Sequence, residues 1–145
     1  MASQSETVSM LERVPLFQGL NRKQLERLAK RVVERDYTEG RMIVEQNKGG
    51  EGFFLLIEGD AEVVRERTDG NKVVVNKLHA NDFFGELALL DDGLRTASVI
   101  ATSPTRCLVL TRWDFMGTLQ EDSAMAIPIL QEMARRFRMA LDTSL

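Results

Sequence analysis

One cysteine and one histidine in 145 residues remove whole classes of chemistry from this chain. A lone Cys107 cannot close an internal disulfide, which fits a reducing, cytoplasmic setting. Catalytic zinc is usually held by three protein ligands drawn from His, Cys and carboxylate. A four-thiolate iron–sulfur cluster is out of reach. A serine triad would have only His79 as its base, and a His-rich metal oxygenase has no ligand set. His79 itself lies in the polar stretch His79-Ala80-Asn81-Asp82 and reads as a solvated loop histidine. No metal, no cofactor and no enzymatic activity are therefore expected. A basic excess is also missing. Nineteen Lys and Arg stand against 22 Asp and Glu, with a net charge of −3, which argues against direct nucleic-acid binding. No apolar run approaches the roughly 20 residues that span a membrane, and the N-terminus lacks a signal-peptide pattern.

What is present is ordinary for a soluble globular domain: 43% hydrophobic and 28% charged residues. The length predicts one domain over 1–145, helical in 8–34, stranded in 35–110 and helical again in 112–142. Residues 1–7 are polar and read as frayed. Val8, Met10, Leu11 and Val14 predict a short helix that stops before Pro15. Asn21 has the chemistry of an N-cap, with Gln24 in the capping-box position and Leu20 and Leu25 as the hydrophobic staple. Leu25, Leu28, Ala29, Val32 and Val33 share one face, which predicts a helix over 22–34.

After Asp36 short apolar runs alternate with turn signals. Strands are predicted over 41–44, 53–57, 61–67, 72–78, 97–101 and 106–110, the pattern of an all-β sandwich or barrel. Asp69-Gly70 reads as a tight hairpin turn, and Asn81 as a residue in a left-handed turn conformation. Thr111 can cap a further helix, with Asp114 at its third position. In a last helix over about 123–141, Ile127, Leu130, Ala134, Phe137 and Leu141 recur at spacings of three and four. Pro128 either starts that helix or kinks it. The apolar stripe can pack on the rest of the chain, zip to a second copy, or do both. It covers too few heptads to argue a coiled coil by itself.

The densest chemistry lies in Phe84-Gly85-Glu86-Leu87-Ala88-Leu89-Leu90-Asp91-Asp92-Gly93-Leu94-Arg95-Thr96-Ala97-Ser98. Arg95 offers a planar fork suited to two phosphate oxygens, and the small residues at 96–98 leave room beside it. Gly85 allows close approach, and Glu86-Leu87-Ala88 can begin a turn whose N–H groups face an anion. Glu86 would repel a phosphate, so its carboxylate suits a neighbouring hydroxyl. A phosphate-bearing sugar satisfies both residues. A structural Glu86–Arg95 ion pair across a turn satisfies them as well.

The same segment resembles the phosphate-binding cassette of cyclic nucleotide-binding domains, the family of cAMP-dependent kinase regulatory subunits, cyclic-nucleotide-gated channels and the bacterial catabolite activator. The resemblance covers roughly residues 10–142. It includes Leu11…Val14-Pro15-Leu16-Phe17 and Phe54-Leu55-Leu56-Ile57-Glu58-Gly59. It implies a mainly β fold: an eight-stranded β-roll of jelly-roll type with N-terminal helices and a C-terminal lid helix. It further implies that Arg95 holds the cyclic phosphate, that Glu86 takes the ribose 2′-OH, and that backbone N–H groups around Leu87, Ala88 and Ala97 complete the cradle beside Gly85. Val63 and Leu78 resemble base-facing strand residues, and Arg135, Arg136 and Phe137 are candidates for a base contact from the last helix. Thr96 resembles the hydroxyl that meets guanine in cGMP-responsive members. The chain departs from the family at Leu94, where Pro is common, and at Asn81, where Gly is common.

The resemblance implies a sensor of cyclic nucleotide that signals by moving its C-terminal helix, with Pro128 as the candidate hinge. cAMP is favoured over cGMP because the bacterial members mostly use it. The expected partners are the nucleotide, an unnamed protein effector and a second copy through the C-terminal helix. Neither nucleic acid nor membrane is expected; a helix-turn-helix would have to follow Leu145, so direct DNA control is not expected if the chain is full-length, and any effector could follow if it is a fragment. The alternatives are a scaffold independent of nucleotide, or a regulatory fragment of a larger channel, transporter or enzyme.

Overall fold

Strand pairing over long sequence separations organises the middle of the chain. The computed structural model describes residues 2–50 and 52–144. These fall into two compact units, Val32–Trp113 and Met1–Arg31 with Asp114–Leu145.

Among the described residues, the first unit holds eight strands: β1 (Val33–Tyr37), β2 (Met42–Val44), β3 (Gly52–Glu58), β4 (Ala61–Glu66), β5 (Lys72–Leu78), β6 (Phe83–Phe84), β7 (Ser98–Ala101) and β8 (Thr105–Thr111). They form two four-stranded antiparallel sheets, ordered β1-β8-β3-β6 and β2-β7-β4-β5. Register places Val33 opposite Val109, Phe54 opposite Val109 and Phe84, and Ala61 opposite both Leu78 and Ala101. Phe54, Leu56, Ala61, Leu78, Val99, Cys107 and Val109 are buried as one cluster drawn from both sheets. Burying each large apolar side chain stabilises the fold by roughly 1.5–3 kcal/mol. β3 and β8 are buried along most of their length, which is why they read as unbroken apolar runs rather than alternating ones. Burial in that cluster pushes the Cys107 thiol up to about 12, so it stays protonated and unreactive.

The second unit is helical: α1 (Gln4–Glu12), α2 (Arg22–Ala29), α3 (Arg112–Glu121), which runs on from β8, and α4 (Ala126–Ser144). The capping box of α2 forms as expected. Asn21 Oδ1 accepts the Gln24 N–H and Gln24 Oε1 accepts the Asn21 N–H, both at 2.9 Å. Phe17 and Phe115 are fully buried with ring centroids 6.0 Å apart. Arg31 donates to the Asp114 carbonyl at 3.2 Å and to Glu121 at 2.6 Å.

The eight strands and flanking helices agree with the expected mainly β class, while several boundaries differ. The helix expected over 22–34 ends at Ala29, and Val33 opens β1. Val32 and Val33 are β-branched, and pairing with β8 outweighs the helical spacing of their apolar side chains. Residues 1–7 are not all frayed. Ser3 Oγ caps α1 at the Glu6 N–H, 3.1 Å away, and Thr7 and Val8 are buried. The run Val33-Glu34-Arg35-Asp36-Tyr37 and the two-residue β6 were missed, the first for its charges and the second for its length. Pro128 falls in the first turn of α4, where its missing N–H has no helical acceptor to leave empty, so it starts that helix rather than kinking it. The stripe read on α4 faces outward, with Ile127 59%, Leu130 66% and Phe137 66% exposed. The buried residue of α4 is Ile129, with Met125 buried in the 3-10 turn just before it, and α4 packs on the 3-10 turn Pro15–Phe17.

Turns behave as their residues dictate. Gly70 (φ 86°) and Asn81 (φ 77°) are both left-handed, and Asn71 N–H is held by Asp69 Oδ1 at 2.9 Å. The β3–β4 turn is tied down by Asp60. Its N–H donates to Ser103 Oγ at 3.0 Å, and its carbonyl accepts from Thr105 Oγ1 at 3.0 Å. His79 is exposed, as read, but its Nδ1 lies 2.8 Å from Asp60 Oδ1.

That contact with His79, and then the Ser103 hydroxyl, hold the Asp60 carboxyl below its ordinary value. A carboxyl lowered on folding adds stability that is present above its unfolded pKa and lost as pH falls through the folded one. Asp60→Asn is therefore expected to melt below the wild type at neutral pH and to converge with it in acid. Circular-dichroism melts across that range check this; a gap that stays constant with pH would contradict it.

Candidate functional site

The backbone of Arg95 is clamped before its side chain is considered. Its N–H donates to the Lys48 carbonyl at 2.9 Å and its carbonyl accepts the Asn47 N–H at 2.8 Å. Gly49 bridges Leu94 in the same antiparallel sense. Asn47 makes this possible from a left-handed conformation (φ 68°), which Asn tolerates better than most residues. One residue earlier, Gln46 N–H donates to Ser98 Oγ at 2.8 Å. Four consecutive positions, 46–49, thus hold the segment that carries Arg95.

The turn facing it starts at Gly85. Its φ of 82° is left-handed, and the four-residue 3-10 turn Glu86–Leu89 follows directly. Ala88 N–H donates to the Gly85 carbonyl at 3.0 Å and Leu90 N–H to the Leu87 carbonyl at 3.0 Å. The Ala88 amide expected in an anion cradle is therefore engaged within the turn. Arg95 Nη2 donates to the Gly52 carbonyl at 2.6 Å, and Cζ lies 6.0 Å from the Phe54 ring centroid. Phe54 in turn stacks on Phe84, with centroids 4.9 Å apart and planes 1° from parallel. Arg95 Nε and Glu86 Oε2 are buried polar atoms outside any hydrogen bond, while both residues make contacts through other atoms.

These elements enclose a cavity of about 500 Å³, within the range of small-ligand sites. Gly85, Glu86, Leu87, Ala88, Arg95, Thr96 and Ala97 all line it, and so does Val63 from β4. Leu78 does not belong to that lining. It is 4% exposed inside the cluster with Phe54 and Val109, because its register opposite Ala61 turns it into the core. Arg135, Arg136 and Phe137 lie on α4 in the other unit. Glu132 accepts from Arg135 Nη2 at 2.6 Å and from Arg136 Nε at 3.1 Å, and those two bonds hold its carboxyl below the ordinary range. Val44, Phe84, Asp91, Gly93, Leu94 and Val99 also line the cavity and were not among the candidate site residues. Val44 and Val99 carried a signal, since each sits on a strand, but which strands would meet was not readable.

Chemically the cavity pairs one guanidinium and one carboxylate with apolar strand residues. Its lining contains neither His79 nor Cys107. Among the described residues, no group of three or more His, Cys, Asp or Glu could hold a metal ion, and no helix is long and apolar enough to cross a membrane.

The family profile of the cyclic nucleotide-binding domain matches residues 34–122. A cAMP-dependent protein kinase regulatory subunit from Mycosarcoma maydis is 40% identical over 92 residues, 63% of this chain and 17% of that protein. A cyclic AMP receptor protein from Thermus thermophilus is 30% identical over 126 residues, 87% of this chain and 58% of that protein. The chain thus spans less than two thirds of these relatives' length. The crystal structure of the N-terminal domain of a transcriptional regulator from Streptomyces coelicolor superposes with a TM-score of 0.85 at 28% identity, covering 92% of this chain and 93% of the other.

Gly85 is the position where the turn has least freedom. An added Cβ would stand 2.6 Å from the Gly52 carbonyl oxygen and collide with Arg95 Nη1, in a backbone conformation L residues avoid. Gly85→Ala is expected to cost more than about 1 kcal/mol of stability. Gly93→Ala, which meets only the Asp91 carboxylate, is expected to cost less. Denaturant titration of both variants checks the order; equal midpoints for Gly85→Ala and wild type would show that the turn relaxes freely.

Proposed function

This chain belongs to the cyclic nucleotide-binding domain family, and from that premise we propose that it is a cyclic nucleotide sensor with cAMP preferred over cGMP. The observation that carries the reading is the convergence of Glu86 and Arg95, with Gly85, Thr96 and Ala97, on one cavity of about 500 Å³. Arg95 takes the cyclic phosphate. A guanidinium has five N–H donors, so its bond to Gly52 does not exhaust it. Glu86 accepts from the ribose 2′-OH, which keeps the carboxylate beside the sugar and off the phosphate. Backbone N–H groups at Leu87 and Ala97 assist. Ala88 joins them only by giving up its bond to Gly85.

The base lies along the apolar side of the cavity, against Val63 and Val44. Thr96, whose carbonyl accepts from Arg65 Nε at 3.3 Å, is the residue beside the phosphate that discriminates between bases. The names of the relatives favour adenine, since a cAMP-dependent kinase subunit and a cyclic AMP receptor protein are among them. No catalytic step is assigned to the chain, and no contact with nucleic acid or membrane.

Signalling runs through α4, with Pro128 in its first turn as the hinge. The exposed stripe of Ile127, Leu130, Phe137 and Leu141 is the surface for a second copy of the chain. The protein effector is a separate partner.

Three experiments follow. Excess cAMP is expected to raise the melting temperature more than cGMP does; a site at 100 times its dissociation constant gains about 2.7 kcal/mol. Arg95→Ala is expected to weaken binding by about 2–5 kcal/mol. No shift with either nucleotide at millimolar concentration would favour a scaffold independent of nucleotide. In sedimentation, wild type is expected to self-associate and Phe137→Asp to remain monomeric; identical profiles would remove α4 as the contact.

A further inference from the structure

We propose that Gly50 is a positioning residue for Arg95: the space left by its missing side chain is the slot in which the guanidinium lies. The inference rests on the reading of Arg95 as the phosphate ligand. A Cβ built on Gly50 would collide with Arg95 Nε, Cζ and Nη2, and one built on Gly85 would collide with Nη1. Two glycine Cα atoms therefore flank the guanidinium, while Nη2 donates to the Gly52 carbonyl at 2.6 Å and the Phe54 ring lies 6.0 Å from Cζ. The slot and the Gly52 bond together leave the fork one orientation.

Gly50 does not line the cavity that holds Arg95. It lines a second one, of about 470 Å³, with Arg35, Asp92, Arg112 and Trp113. A ligand in the first cavity therefore meets Gly50 only through Arg95. The backbone at Gly50 is outside the left-handed region, so an alanine there conflicts only with the Arg95 side chain, unlike at Gly85. Its neighbour Gly49 shows the contrast. It too has ordinary backbone angles, and nothing lies within 4 Å of an added Cβ. A methyl at position 50 takes the guanidinium's place and breaks the bond to Gly52. Arg95 then has a long, flexible stem, and phosphate binding must order it afresh.

The test compares cAMP affinity by calorimetry for wild type, Gly49→Ala, Gly50→Ala, Arg95→Ala and the Gly50→Ala/Arg95→Ala pair, each in the whole chain. Gly50→Ala is expected to weaken binding by about tenfold, the equivalent of one charged hydrogen bond. Gly49→Ala is expected to match wild type. In the Arg95→Ala background the position-50 change is expected to have no further effect, since it acts through the missing side chain. Wild-type affinity in Gly50→Ala, or the same fold loss with and without Arg95, would overturn the proposal.

A second measurement needs no ligand. In nitrogen-15 spectra the Arg95 Nε–H signal, identified by its loss in Arg95→Ala, is expected to persist in Gly49→Ala. In Gly50→Ala it is expected to shift and exchange faster with water, and an unmoved signal would overturn the slot. If wild type binds no cyclic nucleotide, the functional reading fails while this spectrum still decides the role of Gly50. A Gly50→Ala chain that folds only once Arg95 is also removed supports the slot; one that fails in both backgrounds places the crowding elsewhere and overturns it.

Discussion

A guanidinium drawn out of bulk water must have its hydrogen bonds supplied by the protein. That requirement shapes the region around Arg95. Its Nη2 finds the Gly52 carbonyl at 2.6 Å, and its own N–H and carbonyl are tied to Lys48 and Asn47. The contact with Gly52 demands glycine backbone on either side, and the stacked Phe54–Phe84 pair gives the charge an aromatic neighbour. Residues 46–49 and Gly52 are tied by these bonds to the segment 94–98, far away in the chain. The cavity is the space that remains beside them.

The two sheets make that lock rigid. β3 carries Phe54 in the sheet β1-β8-β3-β6, while β7 leads away from Arg95 in the sheet β2-β7-β4-β5. The buried cluster of Phe54, Leu56, Val99 and Val109 joins the two. Dense packing of this kind tolerates little displacement, so loops rooted in it hold their functional groups in register. The β3–β4 turn, anchored by Asp60 to Ser103 and Thr105, closes the far side of the same framework. Strands whose neighbours are distant in sequence are what allow a short contiguous motif to face apolar residues such as Val63, which it could not reach locally.

Local chemistry was legible wherever a few adjacent residues decide the outcome. The Asn21–Gln24 capping box, the Asp69-Gly70 hairpin and the left-handed Asn81 all formed as their side chains require. The cassette residues Gly85, Glu86, Leu87, Ala88, Arg95, Thr96 and Ala97 were identifiable because they are contiguous or nearly so, and all of them line one cavity. Legibility failed where a residue answers to a distant partner. Val33 obeys β8 rather than α2, Leu78 turns inward because it faces Ala61, and β6 exists only because β3 lies beside it. Asn47 gave no local sign that its left-handed turn would serve Arg95. On α4 the helical period was correct, but the buried side chain is Ile129, which lies off the expected stripe. A period defines faces without saying which one is covered.

By itself the sequence determined the inventory. One His and one Cys argued against His- or Cys-rich metal sites and a serine triad, alternating short runs pointed to sheets, and Glu86 and Arg95 supplied opposite charges in a segment of small residues. Those are properties of composition and of neighbours within a few positions, where steric and hydrogen-bonding rules act without help. Only the tertiary structure decided which strands meet, which valines face the cavity and where the guanidinium rests. Most of these depend on atoms far apart in the chain, as in the bond from Arg95 to Gly52, 43 positions away. Such contacts arise from the closure of the two sheets as a whole, so no local pattern in the chain encodes them.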